Sequence, residues 1–269
     1  MADMSIDNRA PAPVTFRGGG FDPVPRQWVA WLFFAAVLLL WQVGSAWGLI
    51  DSLFLPSPLR IAQSLYDLAA SGDLFRHLGV SLMRIGAGWL IGTVAGVLVG
   101  GMIGLSWLWR SAGLPFVSAL FPIPKIALLP LLILWLGIGE ASKVATIALG
   151  VFFPMAISTY AGVDNVPRNL IRMAQSFNLP VPSIVLNVVI PGMLPSVLSG
   201  CRISASIALI LVVSAEMIGA NVGIGAFLLT AGNLMQTDQL MAGIVAISIL
   251  GLLIGALISW LERLLLSWR

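Results

Sequence analysis

Apolar positions gather into six runs, near Trp28–Leu49, Ile85–Leu105, Leu114–Ile138, Val144–Val163, Met193–Val213 and Leu240–Leu261, with more polar stretches between them. A helix needs about 20 residues to cross the hydrocarbon core of a bilayer. The pattern therefore predicts an all-α integral membrane protein with six transmembrane helices over residues 27–269. Residues 1–26 are polar, carry Gly18-Gly19-Gly20 and four prolines, and are expected to form a disordered tail. Gly44-Ser45-Ala46 loosely resembles a cleavage site. The first run is longer than the roughly 7–15 apolar residues of a cleaved signal, however, and reads as a retained helix.

Six spans put both ends of the chain on one side. If that side is the inside, Arg9, Arg17, Arg26, Arg110, Arg168, Arg172, Arg263 and Arg269 fall inside, against Arg60, Arg76, Arg84 and Lys143 outside. Basic residues favour the cytoplasm. Both termini are expected there, together with the polar loop 164–191 between the fourth and fifth runs. In the first outer stretch Ile61, Leu65, Leu68 and Ala69 recur at helical spacing, with Arg60, Gln63 and Asp67 between them. This predicts an amphipathic helix at the interface or against the bundle, with Ser57 or Asp73 available as a cap.

The second run carries Gly88, Gly92, Gly96, Gly100 and Gly104, one every four residues. Stacked on one helix face, they form a smooth stripe that lets a neighbouring backbone come close. In the third run Pro122, Pro124 and Pro130 each remove a backbone donor. A broken backbone at membrane depth is tolerated where it is buried in protein or lines a wet cavity. Lys125 sits among these prolines, so Pro122, Pro124 and Lys125 are expected along a translocation path; the plainer reading has the lysine snorkelling to the cytoplasmic face. Arg202 and Glu216, on the fifth run and its outer end, join that expectation. They are about 21 Å apart along one helix, too far to pair with each other, and each needs a partner, a wet cavity or an interface.

Composition supports the membrane reading. Only 9% of residues are charged and 59% are hydrophobic, whereas soluble domains carry about 25% charged residues. The basic balance, +3, then reflects topology rather than nucleic-acid binding. A single cysteine, Cys201, precludes an internal disulfide, and a single histidine, His77, removes multi-histidine metal sites. No metal or cofactor is expected. A phosphate-cradling P-loop ends in Gly-Lys-Ser/Thr, and Lys125 and Lys143, the only lysines, follow Pro124 and Ser142. Nucleotide energy would have to come from another polypeptide.

The loop itself, "LIRMAQSFNLPVPSIVLNVVIPGMLP", is unusual for a connection between spans. After Pro167 a short helix presents Leu170, Ile171, Ala174 and Phe177 on an apolar side, with Arg168, Asn169, Arg172 and Gln175 on the others. Asn178 stands where that helix ends, and asparagine tolerates the left-handed conformation of a C-cap. Pro180 and Pro182 forbid simple continuation, and Ser183 is expected to cap a second helix that halts at Pro191. The product is a rigid knob suited to docking, or an ordinary ordered loop.

This segment resembles the cytoplasmic loop of binding-protein-dependent ABC importer permeases, patterned E-A-A-x3-G-x9-I-x-L-P. Arg172, Met173 and Ala174 occupy the E-A-A places, Asn178 the glycine, and Val188, Ile190 and Pro191 the close. Arginine for the acid reverses a charge at the docking contact. "HLGVSLMRIGAGWLIG" and "FPIPKIALLPLLILWLGIGEASKV" are similar to the subgroup of nitrate, bicarbonate, taurine and alkanesulfonate permeases, a likeness that runs from Leu55 to Glu262. The resemblance implies a type I ABC importer permease fold and two permease chains, expected to be identical, around one pore. It implies two ATP-binding subunits gripping the loop, through Ser176 and its neighbours among the other residues named above. A periplasmic or lipid-anchored solute-binding protein would deliver a small solute, an oxyanion such as a sulfonate, taurine, nitrate or bicarbonate. The chain itself would not be an enzyme and would lie in the inner membrane.

Two rivals stand beside that reading. Half of an ion-driven secondary transporter would also use broken helices and a buried lysine. A membrane hydrolase would need a nucleophile and a base inside the bundle, and His77 belongs to the outer stretch.

Overall fold

The computed structural model describes residues 27–49 and 51–266; the expected tail, 1–26, lies outside them. All regular structure among the described residues is helical. Five stretches are long and apolar enough to cross a membrane, and a sixth, bent pair joins them when its two arms count as one span.

The first helix, α1 (Gln27–Ala46), stands apart with none of its span buried. Its tie to the rest is Gln42, whose Oε1 accepts from Leu59 N at 3.2 Å. The amphipathic helix α2 (Pro58–Ala70) forms as expected, capped by Ser57, whose Oγ accepts from Arg60 N. Its apolar side, with Leu65, Leu68 and Ala69, packs against Leu74, Ile224 and Ala246, so it lies against the bundle. Asp73 does not cap: Gly72, at φ 84°, precedes the next helix and Asp73 sits in its first turn.

The second span is longer than its apolar run. Helix α3 (Asp73–Leu105) starts three turns before Ile85, which moves Arg84 out of the outer loop and into the helix. Its glycine stripe faces α6 (Glu140–Asp164). A Cβ on Gly88 would lie 2.6 Å from Ile147 Cβ, and one on Gly104 would lie 2.6 Å from Val163 Cβ. Only glycine permits this approach, and the two helices pack closely along the whole stripe from Gly88 to Gly104. Lys143, expected in an outer loop, is also buried in α6, donating to Gly139 O at 2.9 Å.

Between them, α4 (Trp107–Leu120) and the segment from Lys125 through α5 (Leu129–Leu136) meet at 89° across residues 121–124. The break falls at Pro122 and Pro124, as the missing donors require. The short helices α7 (Arg168–Ser176) and α8 (Val181–Ile184) follow α6. The latter does not halt at Pro191. It passes through a π-helical turn, Val185–Val189, into α9 (Ile190–Gly219), giving a continuous rod from Val181 to Gly219. Ile190 N bonds Val185 O, five residues back, so the register has already shifted when Pro191 arrives without a donor. Ser183 lies inside the first turn rather than capping it; Pro182 needs no N–H there, so the helix starts one residue before it.

The chain closes with α10 (Ile224–Asn233), a buried helix inside a stretch expected to be a loop, and α11 (Thr237–Leu265). Ile85, Ile147, Val151, Met155, Ala208 and Val212 form the common core of α3, α6 and α9. One end of the bundle carries α7 and α8, the knob end; α2 and α10 lie at the far end.

Candidate functional site

At the knob end, α7 closes in a tight left-handed turn. Asn178 has φ 55°, its N–H bonds Gln175 O at 2.9 Å, and Leu179 N bonds Ala174 O at 3.3 Å. This is the Schellman pair of bonds that the position of Asn178 predicts. Ala174 is buried and Ile171 half-buried against the bundle. The expected apolar side divides there. Leu170, Met173, Phe177 and Leu179 point away, with Phe177 72% exposed, and line an apolar hollow of about 420 Å³ with Val188, Pro191 and Gly192. Arg168, Arg172, Gln175, Ser176 and Pro180 are exposed around it. The short helix thus presents an apolar patch with a charged rim, a surface pattern that marks interaction sites in general. Beside it Arg110 pairs with Asp164 and lies 5.5 Å from the Tyr160 ring centre, bracing α4 against α6.

The residues expected along a path do not converge; they engage separate partners. Lys125 Nζ donates to the carbonyls of Leu120, Phe121 and Ile123 at 2.9, 2.8 and 2.6 Å and lies 4.4 Å from the Phe153 ring centre. An ammonium has three donors, and all three close the end of α4 where Pro122 and Pro124 break it. Arg202 bonds Glu262 and Ser259 of α11. Glu216 is 0% exposed, buried within the bundle.

Glu216 belongs instead to a network at the far end that the chain pattern did not reveal. Arg84, 4% exposed, donates to Glu216 Oε1 at 2.7 Å through Nη1, and to Glu140 at 2.6 Å through both Nε and Nη2. Ser81 Oγ donates to Glu216 at 2.8 Å, Gly225 N donates to its Oε2 at 2.9 Å, and Ile224 N donates to Ser81 Oγ at 2.9 Å. Arg84 Nη1 also reaches Val222 O at 2.7 Å, and His77 Nδ1 meets the Gly223 backbone. A buried arginine with two carboxylates thus holds α3, α6 and α9 together and caps the first N–H groups of α10. Glu216 needed a partner, which the sequence announced; the partner, 132 residues away, follows no local pattern. Among the described residues no cluster of His, Cys, Asp and Glu could hold a metal.

The chain is similar to known proteins. TauC of Escherichia coli (strain K12), a taurine transport system permease protein, is 36% identical over 92% of this chain and 92% of its own length. SsuC of Bacillus subtilis (strain 168), assigned to aliphatic sulfonate transport as a permease, is 35% identical over 90% of this chain and 88% of its own length. An inward-facing structure of the MetNI methionine ABC transporter superposes with a TM-score of 0.61 at 22% identity, covering 71% of this chain and 95% of that one, and shows a shared type I importer permease fold. Residues 92–268 match the family described as the binding-protein-dependent transport system inner membrane component. The chain therefore belongs to that family, the multi-pass inner-membrane permease subunits of ABC importers, which are not enzymes and work with an ATP-binding subunit and a solute-binding protein.

Proposed function

We propose that this permease carries a small sulfonate-type oxyanion, such as taurine or an alkanesulfonate, into the cytoplasm. The observation that carries the solute class is the likeness to TauC and SsuC over about nine-tenths of the chain. Two identical chains form the pore with two ATP-binding subunits. Both termini and the loop 164–191 face the cytoplasm, and residues 27–269 make up the membrane domain behind the tail. An ion-driven half-transporter is not favoured, because the relatives are ABC permeases.

The knob is the linkage to the motor. Leu170, Met173 and Phe177 seat in the ATP-binding subunit, and Arg168 and Arg172 meet acidic groups at its rim. Closure of the motor pushes α7, and the Asn178 turn passes that displacement to α8. From Val181 to Gly219 the rod spans 39 residues, about 58 Å at 1.5 Å per residue. A push at the inner face therefore reaches Glu216 at the outer face, and the π-helical turn at Val185–Val189 is where the rod flexes. Arg202 ties the rod to α11. Pro122, Pro124 and Lys125 mark the break at membrane depth where the path is assigned.

The test is reconstitution. The chain should copurify with its ATP-binding subunits, and proteoliposomes should accumulate labelled taurine or ethanesulfonate only with ATP and the solute-binding protein. Uptake driven by an ion gradient alone, or equal uptake of an uncharged solute, overturns this reading.

A further inference from the structure

A cavity of about 800 Å³ lies at the far end, between α2 and the turn joining α10 to α11. Its walls carry many polar groups for so apolar a chain, Arg60, Gln63 and Asp67 on one side and Gln236 and Asp238 on the other, interleaved with Leu53 and Leu68. At its rim stands Met235, 70% exposed. Met235 has φ 55°, its N–H bonds Gly232 O at 3.1 Å, and Gln236 N bonds Ala231 O at 2.9 Å. This is a left-handed helix cap of the kind that glycine or asparagine fills at lower cost. A bulky side chain held in that conformation is an outlier, and such strain persists where surrounding structure or function requires it.

We propose that this cavity and Met235 are the docking site for a lobe of the solute-binding protein. The inference rests on the topology in the preceding subsection, which turns the far end outward. The hydrogen-bonding walls suit a water-soluble partner rather than lipid chains. One cation against two acids leaves the lining net negative, which disfavours a free oxyanion as the occupant. An exposed apolar side chain with polar groups close by is the pattern of an interface anchor inside a wet rim. The family is binding-protein-dependent, so such a partner exists. The site selects a lobe bearing an apolar depression for Met235 and a basic group for Asp67 and Asp238.

The experiment uses the assembled transporter in nanodiscs, titrated with its cognate solute-binding protein. Met235→Gly should raise the melting temperature by relaxing the turn and weaken the binding-protein Kd about tenfold, as loss of an interface anchor does. Asp238→Lys should weaken binding and reduce its dependence on salt. Unchanged affinity in both variants overturns the proposal, as does direct taurine binding that Met235→Gly abolishes in the absence of the binding protein. Disulfide cross-linking of Gln236→Cys between two permease chains also overturns it, by assigning the face to the dimer. Cys201 is buried, so maleimide labelling of Gln236→Cys reports sidedness cleanly. Labelling only from the side of the ATP-binding subunits overturns the topology along with this site; labelling from the other side with unchanged affinity overturns this site alone.

Discussion

Helices α7 and α10 are near-twins in backbone and opposites in surroundings. They have 9 and 10 residues, and both end in the same pair of turn bonds around a left-handed residue. Of α7 only Ala174 is buried, and its N-cap, Pro167, supplies no side-chain bond. Five residues of α10 are buried, and Glu216 and Ser81 cap its first N–H groups. The closing residue is a tolerant asparagine in one and a strained methionine in the other. One motif thus protrudes where it is left exposed and wedges into the bundle where it is clamped; burial decides which.

The largest expected effect falls on the clamp. Glu216→Ala removes the one buried carboxylate that Arg84 has, leaving it the half-exposed Glu140, and uncaps α10. Breaking one side of a buried ion pair costs about 3–5 kcal/mol, so thermal unfolding in detergent should show a large loss of stability. A loss no greater than that of an exposed substitution such as Arg172→Ala would mean that α10 is not clamped. Next comes Asn178→Val. A β-branched residue held left-handed costs about 1–3 kcal/mol, confined to a peripheral helix. Solute-stimulated ATPase and uptake should fall while the melting temperature changes little; unchanged coupling would break the peg assignment. Met235→Gly should stabilise by about 1 kcal/mol, the same strain with its sign reversed, seen as a raised melting temperature. Smallest is Asn178→Gly, within a few tenths of a kcal/mol, because both residues accept the turn. Uptake at the parent level would show that the turn's geometry, and not the asparagine amide, is what couples.

The α7 turn was legible from the chain, because asparagine followed by two prolines leaves few alternatives. The α10 turn was not, since nothing local marks Met235 as left-handed; it is held there by Ala231 and Gly232 at the end of a helix that is itself buried. The glycine stripe likewise announced close packing but not its partner, which proved to be α6. Lys125 shows the converse. Its position among prolines suggested a path, and the folded chain gives its three donors to the carbonyls that those prolines strand.

Much about this protein is a matter of chain chemistry. The apolar runs require a lipid environment, neither lysine stands in a P-loop, and the loop motif resembles that of a known permease family. These follow from period and composition, which act locally. Which charge meets which could be decided only in three dimensions. Arg84, Glu140 and Glu216 lie on three helices; the cost of leaving charge unpaired away from water draws Glu216 to the buried guanidinium, and the half-exposed Glu140 meets its other edge.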